Sequence, residues 1–324
     1  MKTEKALITG GAGFIGSHLV EDLIKDGYEV MVVDNLLSGK KENISNVVSN
    51  NIYYDDIGSD NILQNVIEFD PDICFHLAAQ SSVVISVDNP MLDFEHNILQ
   101  PLKLIKVLLT TNCRKIVFSS SGGTIFGEPE VIPTSEIDFA GEPESPYGVA
   151  KKRLNEFIEL LLEDIPTMSY SILNFSNVYG PRQDPNGEAG VISIFTGKMM
   201  NNAEPIVFGD GEQTRDYIYV QDVVDALIKS SKIDDNLFLN IGTGVETSVN
   251  ELVSTLKNTI GYEGKVLYHP KRDGELLRRT YPYNNHQNVF NRRGASDVRR
   301  GKLPERPSSI IFRSSSSAAA NSGF

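Results

Sequence analysis

The sequence predicts an α/β fold, a doubly wound parallel sheet with a smaller C-terminal lobe, and three observations carry that reading. Short apolar runs alternate with amphipathic stretches over the first half of the chain. The first run, Ala6-Leu7-Ile8, passes straight into the glycine-rich turn Gly10-Gly11-Ala12-Gly13-Phe14-Ile15-Gly16 and then a helical stretch from His18 to Ile24. The second, Glu29-Val30-Met31-Val32-Val33, ends on Asp34-Asn35.

Taken in order, strands are expected over 5–8, 29–33, 52–54, 73–76, 115–118 and 169–174, with helices over 61–68, 91–110 and 147–162 between them. That βαβ rhythm is what a parallel sheet requires. After Asn177 the pattern loosens through Tyr179-Gly180-Pro181-Arg182, then returns as a helix over 220–230 and a strand over 237–241. Ser248-Val249-Asn250-Glu251 reads as a capping box opening a helix to about residue 259. No repeat is present. The organisation expected is a dinucleotide-binding domain over 1–176, to which 215–245 return, a substrate lobe from 177–214 and 246–278, and an atypical tail over 279–324.

The 324 residues suffice for a large core, and the 40% apolar content is that of a soluble globule. No run of about 18 apolar residues is available to span a membrane, and the N-terminus lacks the layout of a signal peptide. Cys74 and Cys113 each sit in an apolar, strand-like run, so reduced core thiols and a cytoplasmic setting are expected. A net charge of −13 excludes a nucleic-acid footprint. No metal centre is expected. The charge is uneven: from Arg278 onward nine Lys/Arg face two Asp/Glu, against 21 and 41 before it. This Ser-rich tail has no hydrophobic periodicity and cannot offset its ordering entropy.

The glycines Gly10, Gly13 and Gly16 follow a strand and open a helix, which is the arrangement of a pyrophosphate cradle. Backbone N–H groups and the positive end of the helix dipole face the anion there. Asp34 lies 18 residues beyond Gly16, where a carboxylate accepts from the ribose hydroxyls and repels a 2′-phosphate. NAD is therefore expected over NADP. Tyr147 and Lys151 stand four apart on one helix, sharing a face. A nearby ammonium, together with the positive nicotinamide of bound NAD, favours phenolate, so a lowered tyrosine pKa and a general base are expected. With twelve tyrosines in the chain, such a pairing alone recurs by chance. The hydroxyl-rich Ser119-Ser120-Ser121-Gly122-Gly123-Thr124, at the end of the strand over 115–118, adds groups that would hold a substrate oxygen.

In these motifs, from Lys5 to about Arg278, the chain resembles an extended short-chain dehydrogenase/reductase of the NAD-dependent nucleotide-sugar epimerase/dehydratase family, on its UDP-glucose 4-epimerase-like branch. The resemblance implies a Rossmann-type sheet and places Leu77, Ala78, Ala79 and Gln80 beside the cofactor, with Asp56 and Ile57 at the adenine. Phe14, Ile15 and Asn35 fall in the same cofactor set, and Asn97 is its structural asparagine. On the substrate side the resemblance implies Asn177, Phe208 and the diphosphate-binding pair Arg215 and Arg272, for which guanidinium forks are suited. Tyr147 with Ser121 would then deprotonate a sugar 4-hydroxyl while NAD takes the hydride and returns it to the other face. A homodimer pairing two long helices per subunit is implied as well.

Three departures stand out. The hydroxyl loop carries Gly122-Gly123, so Ser120 and Thr124 remain alternatives to Ser121, and it lacks the Asp-Glu pair of sugar 4,6-dehydratases. Asn174 stands where relatives carry arginine. The basic tail replaces an acidic helical stretch, as a reading-frame shift near Arg278 would produce. UDP-N-acetylglucosamine and UDP-glucuronate 4-epimerases, a UDP-glucuronate decarboxylase, and a non-catalytic dinucleotide-binding regulator are the alternative functions.

Overall fold

The computed structural model describes residues 3–47, 51–127, 134, 142–185 and 190–271. Arg272, the end of the lobe and the tail over 279–324 lie outside the described residues.

The strands in chain order are β1 (Lys5–Thr9), β2 (Glu29–Val33), β3 (Ile52–Tyr53), β4 (Ile73–His76), β5 (Lys115–Ser121), β6 (Ser169–Phe175), β7 (Asn177–Tyr179), β8 (Ile206–Phe208), β9 (Thr214–Arg215), β10 (Tyr217–Tyr219), β11 (Leu237–Ile241), β12 (Thr247–Ser248) and β13 (Leu267–His269). Seven of them form one parallel sheet in the order β11-β6-β5-β4-β1-β2-β3. β1 lies between β2 and β4, with Ala6 opposite Val30 on one side and Ile73 on the other. The chain thus winds outward in both directions from β1, and the crevice above its carboxyl end is where open α/β sheets bind ligands.

Both faces of the sheet are covered, which is why its strands read as continuous apolar runs. Leu7, Met31, Cys74 and Ile116 point to one face, against helices α2 (Asp60–Phe69), α5 (Gln100–Leu108) and α7 (Pro146–Leu162). Ala6, Val30, Phe75 and Val117 point to the other, against α1 (Phe14–Lys25) and α9 (Val220–Ser231). Leu7 is wholly buried, and truncating such a leucine to alanine costs about 2–5 kcal/mol.

The helix expected over 91–110 exists as a run with an internal irregularity. After α3 (Val83–Asp88), α4 (Pro90–Phe94) passes through a π turn at Glu95–Leu99 before α5 begins. The π turn carries Asn97 inward, where its Oδ1 accepts from Gln80 N at 3.1 Å and its Nδ2 donates to Gln80 O at 2.9 Å. Such turns inside helices commonly serve functional sites. The short α6 (Gly122–Ile125) follows β5. A third apolar cluster, separate from both sheet faces, joins α8 (Val191–Met200) to α10 (Val249–Ile260) through Ile192, Phe195, Val249 and Leu252.

Candidate active site

The glycine turn is built by contacts that tolerate no side chain. Gly10 has a left-handed φ of +72°, and a Cβ there would lie 2.7 Å from Ala78 N. A Cβ on Gly16 would lie 2.1 Å from Gly10 O, so α1 begins pressed against the turn. Gly13 caps α1 without a side-chain acceptor, leaving the first N–H groups of the helix directed at the cleft. Gly10, Gly13, Phe14, Ile15 and Gly16 line a cavity of about 310 Å³ at the switch point of the sheet. This cradle, closed to a Cβ at Gly10 and Gly16, fits a dinucleotide.

Asp34 ends β2 in the same cavity and is buried. Its Oδ2 accepts from Ala12 N at 2.9 Å and its Oδ1 from Leu36 N at 2.8 Å. Burial pushes its carboxyl up, and the N–H groups of Leu36, Ala12 and Gly13 oppose that. A carboxylate offers about four acceptor sites, so with these three N–H groups upon it one remains for a ribose hydroxyl. Asn35 and Ile57 also line the cavity, whereas Asp56 does not. Asp56 instead accepts from Asn35 Nδ2 at 2.7 Å. Leu77, Ala78 and Ala79 are walls of the cavity; Gln80 is buried behind them, its amide committed to Ser82 O and Asp93 Oδ1, each at 2.9 Å.

Tyr147, Lys151 and Ser121 meet on the far wall of this cavity. Ser145 and Pro146 start α7, with the Ser145 side chain accepting from Gly148 N. β5 runs on to Ser121 because Ser119–Ser121 pair with Leu173–Phe175 of β6, which carries the hydroxyls into the cleft. The three candidate hydroxyls have different partners. Ser120 Oγ accepts from Asn155 Nδ2 at 3.0 Å, and Thr124 Oγ1 reaches only Ser121 O at 3.4 Å. Ser121 is the one hydrogen-bonded to Tyr147.

The chain's own residues do not by themselves lower Tyr147; the expected lowering joins Lys151 to a bound nicotinamide. Burial pushes the Tyr147 phenol up to about 12, and the Ser121 hydroxyl only partly opposes it. Burial likewise pulls Lys151 down to about 8. The Lys151 Nζ donates to Ser119 O at 3.1 Å and lies 6.0 Å from the Tyr147 ring centroid. Desolvation of both groups outweighs their attraction across that distance. His76, next to this pair, is buried; its Nδ1 pairs with Thr9 Oγ1 at 2.8 Å and its Nε2 has no partner among the described residues.

A second cavity, of about 420 Å³, is lined by Asn177, Phe208, Arg215, Lys198 and Tyr217. Arg215 and Tyr217 face it, while Asp216 between them is buried and accepts from Thr243 N and Gly244 N. The Tyr217 hydroxyl is buried without a partner among the described residues. Neither Lys198 nor Tyr217 was singled out by the sequence reading; the alternation along Arg215-Asp216-Tyr217 carries a signal for the latter. Arg272 lies outside the described residues, so its approach to Arg215 is not observed.

Comparison with known proteins agrees with this geometry. The NAD dependent epimerase/dehydratase family matches residues 6–242. The UDP-glucose 4-epimerase of Mycolicibacterium smegmatis is 39% identical over 278 residues, covering 85% of this chain and 88% of that protein. The crystal structure of UDP-glucose 4-epimerase with UDP-glucose from Thermotoga maritima superposes with a TM-score of 0.83 at 42% identity, over 88% of this chain and 91% of that one. The Thermus thermophilus UDP-glucose 4-epimerase in complex with NAD gives 0.79 at 36%, over 86% and 90%. With the glycine cradle, Asp34 and the Tyr147–Lys151 pair in one cleft, the chain belongs to the NAD dependent epimerase/dehydratase family.

Proposed function

We propose that this chain interconverts the C4 epimers of a UDP-sugar, of the UDP-glucose/UDP-galactose type, through a 4-keto intermediate with NAD as resident cofactor. The carrying observation is that Tyr147, Ser121 and Lys151 share one cavity with the glycine cradle and Asp34. Tyr147 takes the proton of the sugar 4-hydroxyl while Ser121 holds the same oxygen. When bound, NAD would supply the acceptor and donor of the C4 hydride, and its positive ring would favour the Tyr147 phenolate. Loss of that proton and that hydride leaves a C4 carbonyl; reprotonation by Tyr147 after return on the opposite face gives the epimer. Arg215, with Arg272 as its expected partner, anchors the diphosphate so that the sugar turns over without leaving.

In this reading residues 1–176 with 215–245 are the NAD-binding domain, and 177–214 with 246–278 the nucleotide-sugar lobe. The separate apolar cluster between α8 and α10 supports that division. The buried thiols of Cys74 and Cys113 support a reducing, cytoplasmic setting. Pairing of two copies into a homodimer is part of the same reading.

The test is incubation of the purified protein with UDP-galactose and no added cofactor, following UDP-glucose. Conversion is expected, and Tyr147→Phe should lower it about 10²–10⁴-fold while keeping bound NAD. Absence of conversion with NAD present, while UDP-N-acetylgalactosamine or UDP-glucuronate is epimerised, moves the substrate assignment. Absence of turnover with all three sinks the enzyme reading and favours a dinucleotide-binding regulator.

A further inference from the structure

We propose that Asp93 is a positioning residue of this site: it fixes the amides of Gln80 and Asn97 behind the cofactor cleft and supplies the negative charge that keeps Lys151 an ammonium beside Tyr147. Only the rate measurement below rests on the epimerase reading.

Asp93 lies in α4 and is 1% exposed. Its Oδ1 accepts from Gln80 Nε2 at 2.9 Å and from Asn97 Nδ2 at 2.8 Å. Burial pushes the Asp93 carboxyl up, and the Gln80 and Asn97 amides, Lys151 and His96 oppose that; ionised, it only accepts, and so dictates which end of each amide turns toward it. Asn97 Oδ1 is thereby left to accept from Gln80 N, and Gln80 Oε1 from Ser82 N. These bonds set the backbone that follows Leu77-Ala78-Ala79, whose residues line the cofactor cavity.

Neutral amides do not balance a buried charge, and an uncompensated one is costly. The cation bearing on Asp93 is Lys151 of α7, the helix against which α4 packs. Lys151 itself donates to a carbonyl, that of Ser119, and no carboxylate among the described residues forms a salt bridge with it. Its Coulombic support against burial comes from Asp93. The other groups that bear on the cluster are few. His96 of the π turn acts on Asp93, His76 of β4 faces Lys151, and Tyr147 of α7 feels the Asp93 charge directly. α3, which packs on α4 and α7, brings only Asp88, and that residue is exposed.

Removing the charge has two effects of one sign. Lys151 gives up its proton at lower pH, because a negative neighbour favours the charged ammonium. Tyr147 also ionises at lower pH, because the same neighbour disfavours phenolate. The competent form pairs a Tyr147 phenolate with a Lys151 ammonium, so both limbs of the activity profile belong to this coupled pair, and both move to lower pH when the charge is removed.

Asp93→Asn keeps the shape and the one oxygen that accepts from Gln80 and Asn97, removes the charge and puts an NH2 in place of the other oxygen. In the cofactor-free protein, the Lys151 ¹³Cε resonance, assigned with Lys151→Met, should titrate near 8 in the wild type. In Asp93→Asn that midpoint is expected about one unit lower. In the NAD-loaded enzyme, both limbs of the kcat/KM profile for UDP-galactose should move to lower pH together. A rate lowered equally at every pH with both limbs in place, or an unmoved Lys151 midpoint, overturns the proposal. If the Lys151 midpoint moves and the wild type turns over none of UDP-galactose, UDP-N-acetylgalactosamine and UDP-glucuronate, the sugar-nucleotide reading falls and the role of Asp93 stands. Should Asp93→Asn not fold, the reciprocal measurement applies: the Asp93 ¹³Cγ midpoint must rise in Lys151→Met, and an unchanged midpoint overturns the proposal.

Discussion

His76 illustrates what burial does to a single side chain. Burial, with Lys151 adding to it, pulls its imidazole down to about 3. In the unfolded chain a histidine titrates near 6.5. Between those values the unfolded state binds a proton that the native state refuses, so stability is full above about pH 6.5 and is lost as pH falls toward 3. His76→Asn, which keeps a polar group near Thr9 Oγ1, should flatten that loss by up to about 1.4 kcal/mol per pH unit. Urea unfolding from pH 6.5 to 4.5 measures it, and identical slopes for the two proteins would show that His76 is not held neutral. The same residue marks the edge of what the sequence reveals. Gly10, Gly16 and Asp34 are legible because their spacing along the chain is itself the requirement of the site. Tyr147 and Lys151 are legible as a pair, but the direction of the Tyr147 shift is not, since spacing does not report depth of burial. Asp93, His76 and Tyr217 acquire their importance from other elements packed around them, and no local pattern announces that.

At the scale of elements, α10 shows a local signal surviving intact into the fold. Ser248 Oγ accepts from Glu251 N at 3.1 Å, and Glu251 Oε2 accepts from Ser248 N at 2.8 Å. Both halves of the expected capping box are formed, and Gly261 ends the helix with a left-handed φ of +74°. Ser248→Ala should cost about 1 kcal/mol, read as a lower urea midpoint at unchanged m-value. A midpoint within error of the wild type would mean that tertiary packing alone holds this terminus. Where strands and helices departed from expectation, the causes are equally concrete. β5 outruns its apolar stretch because Ser119–Ser121 satisfy β6 despite their polarity. The helix over 91–110 hides its π turn, since one inserted residue is invisible to a pattern of period 3.6. α8 shows no amphipathic period because it is apolar nearly all round: Val191, Ile194 and Phe195 each belong to both the α10 cluster and the lining of the second cavity.

For the whole molecule, one surface remains to be accounted for. α7 buries Leu154, Ile158 and Leu162 in the sheet core, yet Leu160 on its outer side is 77% exposed, with Phe157 and Leu161 also outside. α3 and α4 pack on α7 and add exposed Val84, Val87, Met91 and Phe94. Large apolar groups gathered on adjoining helices mark an interaction surface rather than scattered exposure. The chain as a whole is strongly acidic, at −13, which keeps copies apart unless a local apolar surface draws them together. A second copy is the occupant proposed here, because a two-fold axis lets this one patch cover itself. α4 and α7 carry Asp93, Tyr147 and Lys151 on their inner sides, so pairing would stiffen the wall behind the reacting groups. Light scattering should therefore give twice the chain mass for the wild type. Leu160→Glu should give the single mass, with folding unchanged because the residue is a surface one in the isolated chain. A wild-type monomer, or a Leu160→Glu variant that stays dimeric, removes this face as the interface. A monomeric variant that also loses NAD more readily would tie cofactor retention to the paired helices.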